Sequence, residues 1–141
     1  MDCIFCKIVS GEIPSVKVYE DDRVFAFMDI NPINDGHVLV IPKAHAATID
    51  EIAEVDFLAV MSATHKLAAA VKEALNPEGI NLLQLNGKAA NQVVPHLHVH
   101  IVPRWFGDGV TVSQWDMVAG DMTRIEGVAE KIEREIAGVH P

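Results

Sequence analysis

The sequence predicts an α+β fold built on an antiparallel sheet. Three observations carry this. Short apolar stretches of strand character lie in two groups, before and after one long stretch of helical periodicity, instead of alternating with helices. The first two strands are joined by only a few turn-forming residues, as a hairpin requires. Late in the chain, His96-Leu97-His98-Val99-His100-Ile101-Val102-Pro103-Arg104 alternates imidazole and aliphatic side chains with a period of two.

The elements follow in order. Residues 3–10 read as a short helical turn with Ile4, Phe5 and Ile8 on one side, stopped at Ser10-Gly11. Ile13-Pro14 starts an extended link, because a residue before proline avoids the helical region. Residues 16–19 and 24–29 read as the hairpin strands, with the turn Glu20-Asp21-Asp22-Arg23 between them. Residues 31–36 are rich in turn formers. An apolar strand over 37–42 then ends in proline, and Lys43-Ala44-His45 leads out of it. Leu58, Met61, Ala68, Val71 and Leu75 keep near-3.6 spacing, which predicts a helix over roughly 51–75 with His65 as an ordinary helix residue. Asn76-Pro77-Glu78-Gly79 ends it, residues 80–85 form a strand, and a loop over 86–95 delivers the histidine strand. Residues 105–109 form a turn bearing Trp105 and Phe106. Thr123-Arg124-Ile125-Glu126 fits a capping box for a last helix over about 121–137. That helix carries Ile125, Val128, Ile132 and Ile136 on one stripe, with Glu130 and Arg134 as an i,i+4 pair.

In the histidine strand, Leu97, Val99 and Ile101 suit a core, so His96, His98 and His100 line a surface or cleft on the other face. Pro103 ends the strand on this reading. Side chains two apart are about 6.7 Å apart and the outer pair about 13 Å apart, too far for all three to share one metal. Three imidazoles in a row therefore have divided roles. One histidine in a strand is usually a solvated or hydrogen-bonded structural residue; three at period two point to function.

The chain of 141 residues reads as one domain and can bury a core without cross-links. Its net charge of −9 argues against nonspecific binding to nucleic acid or to an anionic membrane, while a locally positive pocket still admits a small anion. No apolar run approaches the ~20 residues of a membrane helix, and the N-terminus has no signal-peptide pattern, so a cytoplasmic protein is expected. Its two cysteines, Cys3 and Cys6, form one Cys-x-x-Cys, which in the cytosol is metal-binding or redox-active more often than structural. The plainer reading is a reduced thiol pair packed as small apolar residues.

The motif His96-Leu97-His98-Val99-His100, preceded by Asn86-Gly87 and Gln92, resembles the signature of the histidine triad (HIT) superfamily. Residues 25–32 and 36–43 resemble its two long upstream strands, and Ile4-Phe5-Cys6-Lys7-Ile8 through Ile13-Pro14 its Hint-branch N-terminus. The likeness covers roughly residues 3–105, with the last helix similar to the tails of microbial members. It implies a five-stranded antiparallel sheet with two main helices, in a homodimer. It also implies hydrolysis or transfer at the α-phosphate of nucleoside phosphoramidates or dinucleoside polyphosphates, with a purine nucleotide as the small-molecule partner and no organic cofactor.

Residue by residue, the resemblance makes His98 the nucleophile, which needs one ring nitrogen free while the other donates to a fixed acceptor such as a backbone carbonyl. His100 would bond the phosphate, His37 would hold the nucleophile's surroundings, and Gln92 with nearby backbone N–H groups would cradle phosphate oxygens. Asp29 would accept the ribose hydroxyls and Asn86 would touch ribose or phosphate. Phe5, Ile8, Phe27, Ile30 and Leu39 would form the slot for the base, although plain core packing explains such residues too. Two positions depart from the family pattern: Asn91 stands where glycine often precedes the glutamine, and Val93 where a serine or threonine hydroxyl often follows it. The resemblance also implies a structural zinc ion on Cys3, Cys6, His45 and His96. Two other classes stay open: a nucleotide-binding regulatory module with little turnover, and a zinc hydrolase using His-x-His as ligands.

Overall fold

The computed structural model describes residues 2–139. Helix α1 (Ile4–Ser10) precedes the hairpin β1 (Lys17–Glu20) and β2 (Val24–Met28), then β3 (Val38–Pro42), the long helix α2 (Glu54–Leu75) and β4 (Gly79–Gln84). A 3₁₀ turn (Lys88–Ala90), β5 (Val99–Arg104) and α3 (Met122–Val139) complete the order. The five strands form one sheet in the order β1-β2-β3-β5-β4, every neighbour antiparallel. The α+β class and the five-stranded antiparallel sheet are as expected.

Both faces of this sheet are covered. On one, Val24, Ala26, Met28, Val38, Val40, Val99 and Ile101 pack against Val60, Ala63, Leu67 and Val71 of α2 and Ile125, Ala129 and Ile132 of α3. On the other, Phe25, Phe27, Leu39 and Ile41 pack against Cys3, Phe5 and Ile8. Every residue of β2 and β3 is consequently buried. The imidazoles share the second face and are largely buried there, His98 and His100 at the wall of a cleft.

Local details differ from the expectations for identifiable reasons. Helix α2 begins at Glu54 because residues 48–52 are held in a turn by Glu51 and Ile52 N–H donating to Thr48 O. Its buried stripe runs through Val60, Ala63, Thr64, Leu67, Ala70 and Val71, while Leu58 is 58% exposed; small residues share the buried face with Val60, Leu67 and Val71. It stops at Asn76, which adopts φ 47°. Ile4 points out of the α1 core face. Strand β5 starts only at Val99, so His96 and His98 lie on the segment entering it. It also runs through Pro103, which pairs with Ile80. The Pro103 carbonyl accepts from Asn34 Nδ2, so the nitrogen that cannot donate faces away from β4, beyond the end of the β3 pairing. Asp121, not Thr123, caps α3: its carboxylate accepts from the N–H groups of Thr123 and Arg124. Arg134 donates to the Glu130 backbone carbonyl instead of pairing with its carboxylate.

Candidate active site

A cleft of about 540 Å³ opens on the face carrying α1. Phe5, Ile8, Phe27, Ile30 and Leu39 line it, together with Asp29, Gln92, His98 and His100. Phe5 sits between the slot and the imidazoles, with its ring edge-on to Phe27 at 5.4 Å and to His98 at 5.1 Å. The β3–β5 register sets Leu39 opposite His100, which places apolar wall and imidazole side by side.

The hydrogen bonds decide which ring nitrogen of each histidine carries a proton. His98 Nδ1 lies 2.7 Å from the His96 carbonyl, which can only accept. Burial lowers the pKa of His98, so the ring is neutral near pH 7 with its proton on Nδ1 and a lone pair on Nε2. The backbone N–H of Ile33 donates to His37 Nδ1 at 3.0 Å. His37 is held neutral, its pKa pushed down to about 3 by burial and then by repulsion from His98, so its proton sits on Nε2. That nitrogen is 2.9 Å from His100 Nδ1, which must accept. Burial, with His98 and His37 alongside, pushes His100 down to about 3 as well, so its proton sits on Nε2. The chain Ile33 N–H, His37, His100 thus ends in a fixed donor, beside a fixed lone pair on His98 whose ring centroid is 4.7 Å away. Asp29 accepts from Asn31 N–H with one oxygen and keeps the other 3.7 Å from His37 Nε2. Burial raises its carboxyl to about 6.

His96 belongs to a different group. Cys3 Sγ is 3.3 Å and Cys6 Sγ 3.6 Å from His96 Nδ1, Cys6 Sγ is 3.4 Å from His45 Nδ1, and the two Nδ1 atoms are 3.2 Å apart. A tetrahedral ion with metal–sulfur bonds of about 2.3 Å and metal–nitrogen bonds of about 2.05 Å has edges of about 3.5 Å between sulfur and nitrogen and about 3.3 Å between nitrogens. The donor set and its spacing fit such an ion. His96 Nε2 donates to the Pro42 carbonyl at 2.8 Å, which leaves Nδ1 as the ligand atom. Asp29, His37 and His100 also lie close enough to hold a metal. There, however, Ile33 N–H occupies one His37 nitrogen and the other shares a proton with His100.

Two expected contacts take another form. Asn86 does not line the cleft: its amide pairs with Gln84, and its oxygen accepts from Ile49 N–H at 2.7 Å. Gln92 lines the cleft, but its oxygen accepts from Gly87 N–H and its nitrogen donates to the carbonyls of Ala47 and Val94. Its side chain shapes the 87–94 loop instead of offering free donors. The sequence reading also missed Lys88, Gln114, Trp115 and Met117, all of which line the cleft. Trp115 lies edge-on to His100 at 5.7 Å. Its segment crosses the opening between the Asn91–Ser113 hydrogen bond and the bond from Gly120 N–H to Ile30 O.

Comparison with known proteins agrees with this fold. The HIT domain family model matches residues 10–107. An adenosine 5′-monophosphoramidase of Candida albicans is 41% identical over 143 aligned residues, covering 97% of this chain and 93% of that one. The crystal structure of a Hit-like protein involved in cell-cycle regulation from Bartonella henselae superposes with a TM-score of 0.88 at 41% identity, covering 95% of this chain and 96% of that one. A zinc-bound histidine triad family protein from Mycobacterium smegmatis superposes with a TM-score of 0.87 at 34% identity, covering 99% and 96%.

Proposed function

Because the chain belongs to the HIT family, we propose that it is a nucleotidyl hydrolase or transferase acting at the α-phosphate of a purine nucleotide through a covalent nucleotidyl-histidine. One observation carries this reading: His98 is buried and neutral, donates Nδ1–H to the His96 carbonyl, and has no protein partner for Nε2 among the described residues. The Nε2 lone pair attacks the α-phosphorus, and the bond to the leaving group breaks. His100 Nε2–H stabilises a non-bridging oxygen as charge builds on it. Water then attacks the same phosphorus, the phosphorus–nitrogen bond breaks, and a nucleoside monophosphate leaves. The base occupies the slot around Phe5, Ile8, Phe27, Ile30 and Leu39. Asp29, ionised for the most part at pH 7, accepts the ribose diol.

Cys3, Cys6, His45 and His96 would hold a structural Zn²⁺, closing its shell with four protein ligands and tying the N-terminus to the segment that carries His98. The assembly is read as a homodimer, because β4 is an edge strand with Leu82 exposed and α2 exposes Val55 and Leu58. The whole chain acts as one domain, and it is read as cytoplasmic; no described helix is long and apolar enough to cross a membrane.

The engaged amide of Gln92 favours a second reading, a nucleotide-binding module with little turnover. The test is AMP release from adenosine 5′-phosphoramidate by wild type and His98→Asn, with AMP binding measured on both. Turnover by wild type alone supports the histidine nucleophile. Equal turnover refutes it and points to metal-dependent hydrolysis. AMP binding without turnover supports the binding module.

A further inference from the structure

Among the charged side chains that line the cleft there are two, Asp29 and Lys88. Among the described residues Lys88 is the one lysine or arginine that lines the cleft, in a chain of net charge −9. It makes no ion pair and no side-chain hydrogen bond among the described residues.

The backbone beneath Lys88 is fixed. Gly87 and Asn91 bracket the 3₁₀ turn with φ of 89° and 69°. Gln92 N–H donates to Gly87 O, and the Gln92 side chain accepts from Gly87 N–H, which closes the loop on itself. A cation on a loop braced in this way, with its head free, suits a charged ligand. Val93 follows on the same loop, 70% exposed and lining the cleft, and its side chain offers neither a hydrogen-bond donor nor a proton.

On the reading that His98 attacks an α-phosphate, we propose that Lys88 binds the leaving group and selects nucleotides whose α-phosphate is joined to an anion, such as a further phosphate or sulfate, over phosphoramidates. The chemistry balances without another reactant. The Nε2 lone pair forms the nitrogen–phosphorus bond as the phosphorus–oxygen bond breaks. The departing oxygen keeps the electron pair, leaves as an anion and needs no proton. An amine must take up a proton as it leaves, and Val93 has none to give. The ammonium of Lys88 meets the charge that grows on the departing oxygen.

The test uses the full chain with Lys88→Ala and Lys88→Arg. kcat/KM is measured for adenosine 5′-phosphosulfate, diadenosine tetraphosphate and adenosine 5′-phosphoramidate. The ratio of either anionic-leaving-group substrate to the phosphoramidate is expected to fall about 10- to 100-fold in Lys88→Ala, the range for losing a charge-assisted hydrogen bond, and to recover largely in Lys88→Arg. An unchanged ratio overturns the proposal. So does a ratio that rises, which would make Lys88 the proton donor to a departing amine.

Calorimetric binding of ADP and AMP separates this proposal from the catalytic reading. Wild type should prefer ADP, whose β-phosphate takes the leaving-group position, and Lys88→Ala should lose that preference. If wild type turns over nothing, the catalytic reading fails while the ADP preference still decides the role of Lys88. Equal ADP and AMP affinities in wild type overturn it.

Discussion

Replacing His37 tests the hydrogen-bond chain in detail. The residue is fully buried and joins two partners, the half-buried Ile33 N–H and the buried His100 Nδ1. Leucine at 37 fills a similar volume and abandons both. A buried polar group left without a partner costs about 1–3 kcal/mol, so His37→Leu should lose about 2–6 kcal/mol. For a chain of this size that lowers Tm by roughly 5–20 °C. Two further variants separate the two ends. The amide nitrogen of glutamine can stand in for Nε2–H and keep the bond to His100. The amide oxygen of asparagine can stand in for Nδ1 and keep the bond from Ile33. His37→Asn should therefore recover stability over His37→Leu but not activity, while His37→Gln should recover activity. The assays are thermal unfolding, phosphoramidate turnover, and ¹⁵N NMR of the imidazoles. In the wild-type spectrum His98 should be the Nδ1–H tautomer, and His37 and His100 the Nε2–H tautomers. An Nδ1–H tautomer on His100, or an asparagine variant more active than the glutamine one, refutes the reasoning.

Three further outcomes are expected. Stability should respond to pH in two opposed ways. Asp29, raised from 3.8 to about 6, binds a proton more tightly when folded, so its contribution of about 3 kcal/mol is present below pH 4 and fades as pH rises through 6. His37 and His100, lowered from 6.5 to about 3, contribute stability above pH 6.5 that is lost as pH falls. The two histidines outweigh the one acid, so Tm should rise between pH 4 and 6.5, and Asp29→Asn should steepen that rise; a shallower profile contradicts the assignment. Metal removal by a chelator should lower Tm by roughly 8–16 °C if the ion is held at about 1,000 times its Kd, and Cys6→Ser should abolish the response. Gly36→Ala should lower Tm by roughly 5–10 °C: Gly36 sits at φ +81°, and a Cβ there would clash with Leu75 Cδ1 and approach Pro103 Cγ to 3.0 Å. An unchanged Tm would mean that α2 and β5 yield readily at this point.

The residues that were legible are those whose placement follows from local backbone geometry. A period of two puts His98 and His100 on one face whatever the fold around them, and the register of Leu39 with His100 extends that face to β3. Alternation reports sidedness, not cover: α1 closes over part of that face through Phe5 and Ile8, and His98 and His100 line the cleft that remains. Long-range placement carries no such local signature. Cys3 and His96 are 93 residues apart and meet because the segment entering β5 turns the His96 ring toward α1, away from the ring of His98. Only the resemblance to a family brought those four ligands together in advance. Trp115 and Lys88 lie on irregular segments where neither helical nor strand periodicity exists, and Trp115 reaches His100 only because Ser113 and Gly120 are tied down across the cleft.

The turning of the Asn86 and Gln92 amides toward the protein has a common cause. An amide in the loop over 86–95 can serve a ligand or the loop itself, and composition does not distinguish the two. In this chain the amides are used by Gly87, Ala47, Val94, Ile49 and Gln84. The loop is thereby fixed before any ligand arrives, and on the proposed function backbone, His100 and Lys88 would meet the charge of a phosphate. A site organised this way spends its neutral polar side chains on geometry and keeps its few charges for substrate. That division predicts a graded response: Gln92→Glu, which loses the donors to Ala47 and Val94, should weaken all substrates together, whereas changes at Lys88 should act according to the charge of the leaving group.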